Sequence, residues 1–231
     1  MSIRRINYIW AMVEKSLHDA TKTWYSRPGD ILEAPVDGYI IDIVRGDLLI
    51  EIQTGNFSAI RRKLSRLIRK HSVRLVHPVS QRKWIVRLDA DGETVTSRRR
   101  SPKRGRVEDV FFELVYMPTL IRDRNLSLEV LLVHSEDWLI DDGRGSWRRR
   151  RWSIHDRRLI DVVNSRLFSE PADFRELLPT SMPDKFTTNE LGEELKLRPI
   201  AAQKMVYCMR KMGTIESVGK RGRSLLYSVP W

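Results

Sequence analysis

Asp42, Glu51 and Gln53 interrupt two apolar runs in the stretch DIVRGDLLIEIQTGNF, which extends from Asp42 to Phe57 around an Arg45-Gly46-Asp47 turn. Both strand parities of GYIIDIV and LLIEIQ are otherwise apolar, the pattern of strands covered on two faces. An unpaired acid in such a place is costly. With Asp42 in one strand of a hairpin and Glu51 in the other, the two can face the same side, and Glu51 and Gln53 share a face by strand periodicity. Glu14 stands on the first predicted helix, which can pack across the end of the sheet. Converging carboxylates are hard oxygen ligands for Mg²⁺ or Mn²⁺, ions that activate water and stabilise a pentavalent phosphate. A cation beside them would offset the developing charge. The plain alternative is that these acids face solvent from an antiparallel sheet. Asp37 competes as the first acid, although Asp37-Gly38 reads more simply as a turn.

The elements that must position these residues are legible from periodicity. Residues 9–25 carry Ile9, Val13, Leu17, Ala20 and Trp24 at helical spacing, and RPGD stops that helix. ILEAPV, GYIIDIV and LLIEIQ are three strands, the last two an antiparallel hairpin. FSAIRRKLSRLIRKH is an amphipathic helix with Ile60, Leu64, Leu67 and Ile68 inward, and VRLVHPV is a strand reached by a helical crossover. KWIVRLDADG predicts a further strand, VEDVFFELVYMPTLI a helix up to Pro118, LSLEVLLVHSEDWLI a buried strand, and IHDRRLIDVVNSRLF a helix. PADFRELLP adds a short helix.

The α-β-β-β-α-β order, with an Asp followed nine residues later by Glu-x-Gln in IEIQ, resembles the PD-(D/E)xK nuclease superfamily over roughly residues 10–80. The resemblance implies a restriction-endonuclease-like mixed sheet flanked by helices. It implies that Asp42 and Glu51, with the backbone carbonyl of Ile52, hold the metal, and that Glu14 is an auxiliary acid. Gln53 stands where that family places its catalytic lysine, and an amide supplies no positive charge. Relatives that move the lysine to the following helix point to Lys63, with Arg62 beside it. The five histidines fall in no metal-ligand spacing and are read as ordinary.

The C-terminal stretch is separately punctuated. Thr187 and Glu190 form a capping box, Pro199 suits the first position of a second helix, and Gly213 ends it. Ala201, Met205, Met209 and Met212 are its buried stripe, and TIESVG and RSLLYSV are two strands joined through Lys220-Arg221-Gly222-Arg223. Helix, turn, helix and basic hairpin resemble a small α+β winged helix-turn-helix domain. In that reading the second helix presents Arg198, Gln203, Lys204, Tyr207 and Arg210 to the major groove. Lys220, Arg221 and Arg223 of the wing reach phosphate or the minor groove. The domains are expected at 1–145 and 146–231, divided at DDGRGSWRRRRW.

Charge supports a polyanionic partner. The chain of 231 residues has a formal net charge of +12, with 29 basic against 20 acidic residues before position 153 and 13 against 10 from there on. SRRRSPKRGR reads as a phosphate-tracking loop, with Arg98, Arg99, Arg100, Lys103 and Arg104 as contacts. Trp147 and Trp152 flank four arginines, which suits stacking on single strands but is read first as packing at a domain interface. One cysteine, Cys208, excludes an intrachain disulfide. The expectation is a soluble cytoplasmic protein, a homodimer being compatible, that works on DNA, branched and single-stranded forms included, and not on membranes. The leading expectation is Mg²⁺-dependent cleavage of phosphodiester bonds. Its alternatives are a catalytically inactive DNA-binding regulator, resting on Gln53, and a protein-interaction adaptor.

Overall fold

The computed structural model of the chain describes residues 16–143 and 152–230. Helix α1, described over residues 16–25, buries Leu17, Thr21 and Tyr25 at four-residue intervals. Trp24, expected inward, is 51% exposed, because Tyr25 takes the core position and leaves its neighbour 100° around the helix. Three antiparallel strands follow: β1 (Ile31–Val36), β2 (Tyr39–Arg45) and β3 (Leu48–Ile52). Gly38 and Gly46 adopt positive φ in the two connecting turns, where a side chain would be strained. Helix α2 (Phe57–Leu67) then crosses over, and β4 (Ser72–Leu88) returns parallel to β3. The expected α-β-β-β-α-β order is therefore present.

β4 runs for 17 residues and unites VRLVHPV with KWIVRLDADG, expected as separate strands. Its first half pairs with β3 and its second half with β5 (Val95–Arg100), while β6 (Leu126–Ile140) lies parallel along the other edge. Arg98, Arg99 and Arg100 thus stand on a strand and not in the loop expected for SRRRSPKRGR. Of the helix expected up to Pro118, the α-helical part is α3 (Phe111–Leu114), preceded by a 3₁₀ turn at Val107–Val110.

The stretch expected as a helix after residue 153 is instead strand β7 (Ser153–Phe168), antiparallel to β6. Its apolar residues fit neither period cleanly. The open edge of β6, which β7 satisfies with a full ladder, outweighs local propensity. The sheet, mixed and seven-stranded, has the path β1-β2-β3-β4-β6-β7 with β5 beside β4. It continues to Phe168, past the 145/146 division expected from composition.

A 3₁₀ turn (Pro171–Leu177) leads to α4 (Thr188–Glu194), α5 (Pro199–Met212) and the hairpin β8 (Glu216–Arg221) and β9 (Ser224–Ser228). Thr187 Oγ1 accepts from Glu190 N and Glu190 returns to Thr187 N, Pro199 opens α5, and Gly213 closes it at φ 82°. The backbones of Phe186 and Tyr227 bond reciprocally at 3.0 and 2.8 Å and tie the start of α4 to β9.

Two apolar layers sandwich the sheet. Tyr25 of α1 covers Ile43, Ile50, Ile52, Val76, Leu131 and Val133 on one face. The other face carries the larger core, in which α2, α3 and the C-terminal helices pack over Ile41, Leu49, Leu75 and Leu128. Burying each such side chain contributes on the order of 2 kcal/mol. Among the described residues no helix is long and apolar enough to cross a membrane.

Candidate active site

The β2–β3 ladder pairs Arg45 with Leu48, Val44 with Leu49 and Ile43 with Ile50, and goes no further. Beyond it the strands part, and the Asp42 carboxylate fills the opening: its Oδ2 accepts from Ile52 N at 2.8 Å. Asp42 also marks a slip in β2, since Ile41 packs in the larger core and Ile43 in the smaller one. On β1 the residue opposite is Glu33, held at φ 51° where the β1–β2 ladder misses a rung. A non-glycine residue in that region stores strain.

Glu51 points to the α2 side, with 6% of its side chain exposed. Lys63, projecting from α2, brings Nζ to 2.6 Å from Glu51 Oε1 and donates to the carbonyl of Ile40 at 2.6 Å. The contact to Glu51 is an ion pair without hydrogen-bond alignment, so Oε1 is buried with no hydrogen bond. Burial raises the Glu51 carboxyl above its ordinary pKa, and Lys63 opposes that shift in part. Asp42 behaves oppositely. Burial pushes it up, but the hydrogen bonds from His18 and the Ile52 amide, with the charges of His18 and Lys63, hold it below its usual value.

His18 Nε2 lies 3.2 Å from Asp42 Oδ2, and Nδ1 lies 3.3 Å from Asp19. The hydrogen bond to Asp42 outweighs burial and raises the imidazole pKa. Lys22, one turn further along α1 and largely buried, binds Glu33 at 2.7 Å. Neither His18, ordinary by metal-ligand spacing, nor Lys22 stands out from the sequence pattern of acids. The available signal was helical spacing, since Glu14, His18 and Lys22 recur every four residues on one face.

Of the expected catalytic set the structure places Asp42, Glu51 and Lys63 near enough for their charges to act on one another, and the Ile52 amide donates to Asp42. Gln53 turns away, and its amide donates to the carbonyl of Gly55. Glu14 lies outside the described residues, as do Trp147 and the arginines at 148–151. Among the described residues no group of three His, Cys, Asp or Glu side chains gathers as a metal cage. The two carboxylates suit a hard cation in kind, but the Lys63 ammonium 2.6 Å from Glu51 Oε1 already supplies positive charge at that oxygen.

The expected nucleic-acid contacts divide. Gln203, Tyr207 and Arg210 form an exposed stripe on α5, and Lys220, Arg221 and Arg223 are exposed around the hairpin tip. Arg221 is tied to Glu190 at 2.5 Å. Arg198, also exposed, and the half-buried Lys204 border the ring of Phe112 at 5.9 and 5.3 Å from its centroid, because α3 packs beside α5. Arg98 stacks over Trp84 and pairs with Glu136 at 2.8 Å, while Arg99 and Arg100 are exposed on β5. Lys103 and Arg104 are exposed just beyond it. Trp152, half-buried, packs against Leu139 and Ile154 under Arg87.

A family model described as "Domain of unknown function (DUF8091)" matches residues 15–169, the span of the sheet from α1 to β7. An uncharacterized protein of Treponema pallidum (strain Nichols) is 31% identical over 215 residues, covering 93% of this chain and 84% of that protein. No solved structure matches the chain. The matched residues contain Asp42, Glu51, Lys63 and His18, and the chain belongs to the DUF8091 family.

Proposed function

We propose that the chain is a metal-dependent DNA nuclease of the PD-(D/E)xK, restriction-endonuclease-like kind, with a winged helix-turn-helix formed by α4, α5, β8 and β9. One observation carries this reading: the β2–β3 ladder ends beside Asp42 and Glu51, whose charges act on one another, and Lys63 from α2 lies 2.6 Å from Glu51. That is the arrangement implied by a lysine moved from the Gln53 position to the following helix. Asp42 and Glu51, with the Ile52 carbonyl, would hold Mg²⁺ or Mn²⁺, which when bound supplies hydroxide at neutral pH and charge stabilisation at the phosphate. The Ile52 amide and His18 fix the orientation of Asp42, and the low pKa of Asp42 keeps it anionic. Lys63 places an ammonium where negative charge develops in a phosphodiester. Gln203, Tyr207 and Arg210 supply the groove-facing stripe, and Lys220 and Arg223 the wing.

The alternative, an inactive DNA-binding regulator, is favoured by the engagement of Gln53 with Gly55 and by the contacts that Lys63 already makes. The two readings part in one experiment. Wild-type protein with Mg²⁺ or Mn²⁺ is expected to cleave at least one of single-stranded, duplex or branched DNA. Asp42→Ala and Glu51→Ala should each lower the rate by about 100-fold or more, and Lys63→Ala by a similar factor. Cleavage unaffected by all three substitutions, or no cleavage by wild type, would sink the catalytic reading.

A further inference from the structure

On the same face of the sheet as Glu51, and next along β4, lies a cavity of about 290 Å³ that the catalytic proposal does not use. Thr54, His77, Lys83, Lys103, Phe112 and Arg198 line it, so it is walled by the central sheet, the segment after β5, α3 and the start of α5; Asp109 and Glu113 also line it, each accepting a backbone N–H, from Arg106 and Phe57. Its size is at the small end of ligand sites and suits one monomer unit.

His77 is its most informative wall. The side chain is 6% exposed and its Nδ1 lies 2.6 Å from the carbonyl oxygen of Gln53. The cause is covalent. Gln53 N donates to Val76 O, and the next rung would need an N–H at residue 78, which is Pro78. The stranded carbonyl takes the imidazole N–H instead, so Nδ1 carries the proton. Burial lowers the His77 pKa and keeps the ring neutral. Nε2 is therefore a bare acceptor with no hydrogen bond to any described residue. The ring is clamped edge-on against Phe57, 5.0 Å between centroids.

Charge completes the site. Lys83 is spent on Asp137 at 3.0 Å, but Lys103 and Arg198 have no carboxylate within ion-pair distance among the described residues. Lys103 is carried over the cavity by a close backbone approach. Gly105 N donates to Ser80 O at 2.9 Å, and a Cβ on Gly105 would stand 2.4 Å from that oxygen. Two cations without a carboxylate partner, the Phe112 ring that Arg198 and Lys204 border, and a fixed neutral acceptor match the parts of one nucleotide: phosphate, base face, and the base N–H edge.

We infer that this cavity is a nucleotide subsite, which holds one nucleotide of a DNA strand with its phosphate on Lys103 and Arg198 and a base N–H on His77 Nε2. The inference rests on the reading of the chain as a DNA-processing protein. It adds that the substrate strand is unpaired at this point, since a base edge given to His77 is not given to a partner base. It also assigns Arg198 to the strand and not to the major groove.

The test is binding of a fluorescent pentathymidylate to the full chain in EDTA, where no cleavage interferes. Lys103→Ala and Arg198→Ala are each expected to weaken binding roughly tenfold and to lower the salt slope by about 0.7. Thr54→Trp, which fills the cavity, should abolish binding. Arg69→Ala, at an exposed position just after α2 and away from the cavity, should leave it unchanged. Binding at wild-type strength by both alanine variants would overturn the subsite. Thymidine monophosphate binding as tightly as the pentamer would overturn the strand assignment in favour of a free nucleotide. Weakened binding in these variants, with no cleavage by wild type in Mg²⁺, would remove the nuclease reading and leave the subsite standing.

Discussion

At the scale of residues, two carboxylates nine positions apart are held in opposite electrostatic states. Asp42 receives an amide N–H and an imidazole and is kept anionic, whereas burial of Glu51 penalises its charge. A group whose folded pKa is raised destabilises the fold once ionised, so the cost is present above the folded pKa and absent below the unfolded value near 4.5. Glu51→Gln is accordingly expected to raise the melting temperature at pH 7 while abolishing cleavage, and the gain should vanish below about pH 4. His77 gives a second pH signature. Its folded pKa is depressed below 6.5, so its contribution to stability is complete above that value and is lost as pH falls beneath it. Urea midpoints taken from pH 7.5 to 5.5 should fall less for His77→Phe than for wild type. An equal fall would contradict a neutral, buried imidazole.

Elements succeed here where their ends are chemically marked. The reciprocal Thr187–Glu190 cap, Pro199 and Gly213 bound α4 and α5 where the residues predict. Thr187→Ala should cost about 1 kcal/mol, readable as a lower thermal midpoint, with Thr187→Ser restoring most of it. β7 has no such marks. Its apolar residues Ile154, Leu159, Ile160, Val162 and Val163 satisfy neither a helical nor a strand period, and the long unpaired edge of β6 settles the matter. The arginine run of β5 shows the same effect, since pairing with Trp84–Leu88 turns a charge-rich stretch into an exposed strand.

Across the whole molecule, the sheet and the C-terminal helices share one core. Phe168 at the end of β7 stacks on Phe174 at 4.1 Å, Phe174 meets Phe111, and Met205 and Met209 of α5 belong to the same cluster. Arg106 adds a hydrogen bond to Leu195 O at 2.5 Å. A fragment ending at Phe168 would bare Phe111 and Leu114. It should melt below the full chain and bind a hydrophobic dye that the full chain does not, whereas equal melting temperatures would show that the core is divisible.

The sequence by itself determined what local chemistry controls: the α-β-β-β-α-β order, the tight turns at Gly38 and Gly46, the caps of the C-terminal helices, and two acids that could not be ordinary core residues. It also pointed to Lys63 as a cation for those acids. Tertiary structure alone decided which partners meet. His18 reaches Asp42 across 24 residues, and Pro78 strands a carbonyl that captures His77. α3 brings the Phe112 ring beside Arg198, which stays exposed, and Lys204. The physical reason is that periodicity and capping are set within a few residues, while each of these pairings depends on which strand edges and helix faces are left unsatisfied once the sheet has closed.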